Sequence, residues 1–454
     1  MDFLQPDVAG DAGDRARRRI TRRLIPFLFV LYILNYVARV NIGSAALQMT
    51  GELGFSNAVF GFGAGIFFIG YFLFQVPLTL LVEFWSARNF IALSLMAWGV
   101  MAVLGGFVNT ATEFYWVRFL LGIAQAGFFP GVLVYLTYWY RQQDRGKAVA
   151  MFMSAIPASN MIGAAVAAGL MRLDWLGMRG WRWLLILEGL PAIVAGVVAF
   201  FYLNDRPKDA RWLRPDEREW IVRELERDQE RKKAQAKLRV WEALRNPQVM
   251  VFAVILFCYI TNSVGLGSWL PKIVQRVSGL STTQVLLISA IPWLCAIPAM
   301  LLTAWHSDRT GERRWHAAIP LFLVGVALSL SIAAGNHVVL AIAAFSLATM
   351  ALYSFPSPFW VLPTIFLSGP AAAASIAFVN SVGNLGGFAG PYLIGYLADK
   401  TGTYTAGLVY LVTCGLAGSA LVLSLRPSRY ASGSRVGMPK PHLARSEAAP
   451  SPRT

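Results

Sequence analysis

Three cysteines, four histidines and 24 acidic residues are few for a chain of 454, and each shortage excludes something. Cys258, Cys295 and Cys414 all fall inside apolar runs and share no framework spacing, so neither a disulfide scaffold nor a metal site is expected. The histidines stand scattered at 306, 316, 337 and 442, beside no nucleophile or acid/base pair, so no catalytic residue is expected. No Gly-rich phosphate loop is present, and no cofactor is expected. The arginine-rich start runs into a full-length apolar segment with no small-residue cleavage pattern, which argues against a removed signal peptide.

What is abundant is apolar surface. The chain is 56% hydrophobic, 13% aromatic and only 14% charged, too apolar and too long for one soluble core. Apolar runs begin near Leu24, Asn57, Asn89, Glu113, Lys147, Arg182, Gln248, Thr282, Trp315, Val338, Ala372 and Thr405. Each is long enough to cross a hydrocarbon layer of about 30 Å as a helix. The expected fold is therefore an all-α membrane protein of twelve transmembrane helices, six on each side of one polar stretch.

The formal charge of +16 is explained by its distribution. With both termini on the cytoplasmic side, 32 of the 40 Lys and Arg fall on that side. The outer side carries Arg172, Arg179, Arg182, Lys272, Arg276 and Lys400, and Arg39 and Arg118 lie inside spans. This bias fixes the orientation in the cell inner (plasma) membrane and makes the lipid bilayer, not nucleic acid, the partner of the basic charge. The chain divides into a cytoplasmic arm (1–23), a first six-helix bundle (24–203), a cytoplasmic linker (204–246), a second bundle (247–426) and a disordered tail (427–454). Pro215 followed by Asp216 and Glu217 starts a surface helix in the linker. A role for the protein as a monomer is expected.

Two arginines carry the functional reading. The stretch RFLLGIAQAGFFPG sets Arg118 and Gln125 on one helix face, with Gly122, Gly127 and Gly131 as close-packing positions. Arg39 lies roughly 22 Å above the inner face and Arg118 roughly 8 Å below the outer one, so the two share a level. A guanidinium at that depth costs at least about 2.5 kcal/mol unless it faces protein or a water-filled cavity. With no carboxylate in the middle of any span, an anionic substrate can supply the missing charge, because the guanidinium fork binds a carboxylate through two contacts. The alternatives are that either arginine snorkels to the surface or caps carbonyls of a neighbouring helix. Glu188, two turns in from the outer surface, is either an interface anchor beside Arg182 and Trp183 or a coupling group.

The halves repeat weakly. Ala158–Ala165 (ASNMIGAA) aligns with Val382–Ala389 (VGNLGGFA), and Trp85–Arg88 (WSAR) with His306–Arg309 (HSDR), at nearly one offset. Such repeats suit a rocking transporter with a central site.

The segments YVARVNIG, FGFGAGIFFIGYFLFQVP, RFLLGIAQAGFFPG, HSDRTGERRWH and NSVGNLGGFAGPYLIGYLAD carry a resemblance to the major facilitator superfamily. Within it the chain is similar to the anion:cation symporters that include tartrate, phthalate and sugar-acid permeases. The resemblance implies cavity roles for Tyr36, Arg39, Tyr71, Arg118 and Gln125. It places Asn160, Ser357, Trp360, Asn380 and Asn384 near the substrate, and it makes Arg88, Asp308 and Arg309 gating residues of the cytoplasmic loops. Ala38, Gln75 and Gln125 stand where such permeases usually carry acids, so proton coupling of the usual form is not expected. The expected function is secondary active transport of a small organic anion by alternating access, with protons or another coupling ion. A facilitative or exchange carrier, and a transporter-like sensor without flux, are the alternatives.

Overall fold

The computed structural model describes residues 8–233, 247–366 and 371–425. Apart from a two-strand hairpin at Asp174–Arg179, its regular structure is helical. Eleven continuous stretches are long and apolar enough to cross a membrane. They are Ala12–Leu53, Asn57–Val82, Ala87–Gly105, Ala111–Thr137, Gln142–Leu170, Gly180–Tyr202, Pro247–Ser278, Thr282–Thr310, Arg314–Ala333, Val338–Pro363 and Thr405–Ser424. Between the last two lies a broken pair, Ala371–Asn384 and Gly386–Thr401, interrupted at Leu385. Counting that pair as the eleventh crossing gives two sets of six, called below the first and second halves. The end of the molecule at which spans 1 and 12 have their chain ends is the terminal end, and the other is the distal end.

Small residues set how closely the spans approach. A side chain at Gly122 of the fourth span would collide with the Phe67 carbonyl of the second, and one at Gly70 with the Phe119 carbonyl. The second span therefore lies backbone-to-backbone on the fourth. Its other edge meets the second half: Gly61 and Gly65 face the Pro391 and Phe388 carbonyls of the eleventh span. The first span changes direction at Asn41, between the helices Val8–Val40 and Ile42–Leu53. Two residues on, Gly43 abuts the carbonyls of Gly267 and Ser268 in the seventh span. Helix breaks and bare backbone inside a membrane protein are tolerated where they face protein or a cavity, and here both do.

The stretch expected to be a polar arm is a correction. Residues 8–23 continue the first span as helix. Ala12, Ala16, Ile20 and Leu24, four apart, are all buried, which is the apolar stripe of a helix packed on protein. The partner is the linker helix Pro215–Lys233, whose Trp220 sits against Gly13. Arg15 pairs with Asp216 at 2.7 Å and Arg19 with the buried Glu217 at 3.2 Å. Arg15 holds the Asp216 carboxyl below its ordinary range. Residues 234–246 and the tail expected to be disordered lie outside the described residues.

At the distal end the halves are joined by one carboxylate. Asp399, at the end of the eleventh span, accepts from the backbone N–H of Asn57 (3.1 Å) and Ala58 (2.7 Å) and from the Asn57 side-chain amide (2.8 Å). It thus caps the second span from the opposite half. Tyr404 and Lys272 add contacts to the Asn57 amide oxygen at 3.1 and 3.4 Å, and Arg172 donates to Thr283 at 3.1 Å. Loss of a helix cap costs about 0.5–2 kcal/mol. Asp399→Ala should therefore enlarge the population with a parted distal end about 2- to 30-fold. Spin labels at positions 176 and 403, in a chain whose native cysteines are replaced, should show a longer-distance population in the variant. An unchanged distance distribution would show that Asp399 does not hold this end shut.

Candidate functional site

Between the halves lies a cavity of about 80 Å³, walled by the first, second, fourth and fifth spans on one side and the seventh, eighth and tenth on the other. Tyr36, Arg39, Arg118 and Asn160 line it. The Arg39 guanidinium carbon stands 5.7, 5.3 and 5.1 Å from the ring centres of Tyr36, Phe67 and Tyr71. Its Nε and Nη2 donate to Gln125 Oε1 at 3.4 and 3.3 Å, and Gln125 Nε2 donates to the Asn35 carbonyl at 3.3 Å. Gln125, fully buried, and Tyr71 therefore form a layer behind Arg39 and do not line the cavity themselves.

Arg118 is only 4% exposed. Its Nε and Nη2 donate to the carbonyls of Gly63 and Ala64 at 3.4 and 3.3 Å, so carbonyl capping of a neighbouring helix is part of its role. The guanidinium still lines the cavity and stands 5.1 Å from the Phe67 ring centre. One aromatic ring thus serves both cations. Among the described residues no carboxylate lies within ion-pair distance of either arginine. Stacking and neutral acceptors hold the guanidinium groups in place but leave their charge uncancelled.

Across the cavity Asn160 Nδ2 donates to the Tyr353 hydroxyl at 2.8 Å, tying the fifth span to the tenth. Ser263, Ser268, Ser289 and Trp293 complete the polar and aromatic wall on the second half. The Ser289 hydroxyl is buried without a hydrogen-bond partner. Sequence reasoning missed these residues and Tyr353. The tenth-span signal was adjacent, since Tyr353 stands four residues before Ser357, which the resemblance placed near the substrate.

Besides Tyr71 and Gln125, four expected site residues lie outside this cavity's lining. Helix Val338–Ser354 ends before Pro356, and the bend leaves Ser357 exposed and Trp360 edge-on to Phe359, ring centres 5.3 Å apart. Asn380 and Asn384 sit beside the break at Leu385, where the Asn384 amide donates to the Asn380 carbonyl at 2.8 Å. The expected gating residues each stay within their own half. Asp205 accepts the Arg88 backbone N–H at 3.0 Å, Asp308 pairs with Arg313 at 2.7 Å, and Arg309 lies 5.5 Å from the Trp305 ring centre.

Comparison with known proteins decides the family. The model of the Major Facilitator Superfamily matches residues 28–391. This chain belongs to that superfamily. A protein of Agrobacterium vitis named for tartrate transport is 42% identical over 427 residues, covering 94% of this chain and 98% of the relative. A quinolone resistance transporter of Acinetobacter baumannii is 37% identical over 397 residues, covering 87% and 91%. Among solved structures, an inward-facing, unoccupied bacterial homolog of the human lysosomal transporter Spinster matches with a TM-score of 0.70. That match covers 89% of this chain and 95% of that one at 16% identity, and so speaks for the fold alone. This superfamily member is a multi-pass membrane transporter of small organic molecules, not an enzyme.

Gln125 is what gives Arg39 a hydrogen-bonded seat. Gln125→Leu should destabilise the ligand-free protein by about 1–3 kcal/mol, because it strands a buried donor. Gln125→Glu should be more stable than the leucine variant, since it supplies both acceptor and charge. Thermal unfolding of the purified variants measures this, and a leucine variant as stable as the parent would show that Arg39 is held by other contacts.

Proposed function

We propose that this transporter carries a small organic anion, a mono- or dicarboxylate of sugar-acid or aromatic-acid type, across the inner (plasma) membrane by alternating access. The observation that carries this reading is the pair of arginines at one cavity with, among the described residues, no carboxylate within ion-pair distance. A carboxylate between them gains two charge-assisted contacts in a site largely withdrawn from water. The serines opposite suit hydroxyl groups on the substrate body, and Tyr36, Phe68 and Trp293 suit an aromatic one. The relative named for tartrate transport is consistent with the hydroxy-acid form of this reading.

Both termini face the cytoplasm in this account, following the bias of positive charge. The Asp399 clasp then closes the outer side, and the structure corresponds to a state shut to the exterior. Arg88, Asp308 and Arg309 act at the cytoplasmic gate in the opposite state. Ala38, Gln75 and Gln125 bind no proton during the cycle, because none of them titrates. The protein works as a monomer, since each chain holds a complete cavity.

Arg118→Gln and Arg39→Gln should each weaken binding of a carboxylate about a hundredfold or more while protein still reaches the membrane. Thermal shift with tartrate, gluconate and benzoate identifies the acid type, because a ligand that binds the folded state raises its apparent stability. Affinity unchanged in both variants would return the arginines to a structural role and remove the basis of the anion assignment.

A further inference from the structure

Glu188 lies in the sixth span, 7% exposed, at membrane depth. Its Oε1 accepts a hydrogen bond from the Asn41 side-chain amide, and its Oε2 is buried with no hydrogen-bond partner among the described residues. The nearby cation that would make it an interface anchor is already committed. Arg182 donates to Glu52, to the carbonyls of Gly106 and Val108 and to Asn109, at 2.9–3.1 Å. The anchoring role considered for Glu188 therefore has no partner.

What Glu188 does face is a second, smaller cavity of about 20 Å³. Its walls are apolar except for Glu188 and Arg118, and Ala38 is among them. Arg118 also lines the main cavity, as does Asn41. One hydrogen bond, from Asn41, and one shared cavity, with Arg118, thus connect Glu188 to the main cavity.

The other charged groups on elements packed against the sixth span are remote or occupied. The third span brings only Arg88 and the fifth brings Asp144, Arg145 and Lys147, all at the terminal end. Glu52, beyond the Asn41 break, is bound to Arg182, and Arg39 is turned to Gln125. Asp174 and Arg179 belong to the distal hairpin. Among the described residues Arg118 is the charged group that shares a cavity with Glu188.

We propose that Glu188 takes up and releases the proton that drives this transporter, and that Arg118 couples its charge to the anion. The proposal rests on the anion reading given above. A carboxylate buried among apolar groups stays ionised only beside a positive charge, and otherwise it binds a proton. With the anion site empty, Arg118 is free to supply that charge. Once an anion neutralises Arg118, the carboxylate loses its compensation, and Glu188 binds one proton from water to become a carboxylic acid. Release of the anion reverses the step and returns the proton to water on the other side. No electrons move, and one proton accompanies one anion. The effect is reciprocal: protonation of Glu188 strengthens anion binding by the same factor by which the anion favours protonation.

Proteoliposomes containing full-length protein test this with tartrate uptake measured with and without an inward proton gradient. The parent protein should be accelerated by the gradient, and its tartrate affinity should rise as pH falls, by at most about tenfold per unit for one proton. Glu188→Gln keeps an acceptor for Asn41 but cannot titrate. Whatever its absolute rate, its ratio of uptake with and without the gradient should fall to about one. A glutamine variant still accelerated by the gradient overturns the proposal. A second measurement needs neither a variant nor an anion: an apolar carbodiimide reacts with buried protonated carboxyls, and mass spectrometry maps the adduct on the unmutated protein. Labelling at Glu188 that declines as pH rises is expected, and absence of labelling at every pH overturns the assignment. If Glu188 labels as expected while tartrate, gluconate and benzoate neither bind nor move, the anion reading fails and the titrating group stands.

Discussion

Positive charge held inside the membrane without a fixed counter-charge is the constraint from which the rest of this structure follows. Arg39 and Arg118 both stand over one ring, Phe67, and their hydrogen bonds end on neutral oxygens of Gln125, Gly63 and Ala64. These contacts satisfy donors and orient the two forks, yet they cancel no charge. A protein that needed only rigidity here could have used leucine. Keeping two guanidinium groups in place makes sense when something negative arrives and leaves.

The architecture serves that arrangement. Bare backbone at Gly70 and Gly122 lets the second and fourth spans close up, which brings Phe67 and the Gly63 and Ala64 carbonyls to the arginine of the fourth span. Gly61 and Gly65 do the same toward the eleventh span, so one helix supports the site on one edge and seals the halves on the other. The break at Asn41 turns the first span just past Arg39 and carries a side-chain amide from the main cavity to Glu188. Binding site, seal and the second cavity therefore meet along two helices, and a change at one is felt at the others through packed, bistable contacts.

Much of this was legible in the amino-acid sequence, and the limits have physical causes. The helical spans, and the place of Arg118 and Gln125 on one helix, follow from helix geometry, which is a local property. Tyr353, Ser289 and Asp399 act across the halves, and such contacts depend on how two bundles meet, which no local pattern specifies. Ser357 and Trp360 sit just past a proline bend whose direction decides which face they present. Residues 8–23 read as a polar arm because their arginines outnumber the stripe of Ala12, Ala16 and Ile20 that docks them on the linker helix. For Glu188, depth was visible in advance. That Arg182 was already spent on Glu52 was not.

The most direct measurement compares an anion with its uncharged counterpart. Tartrate and its diamide have nearly the same size and hydroxyl pattern, and differ in whether they carry the charge the two arginines lack. Titration calorimetry of the purified transporter should show tartrate binding at least about a hundredfold more tightly than the diamide, the difference of one well-desolvated charge contact. Equal affinity for the two would mean that charge does not select the cargo and that the guanidinium groups serve the fold alone.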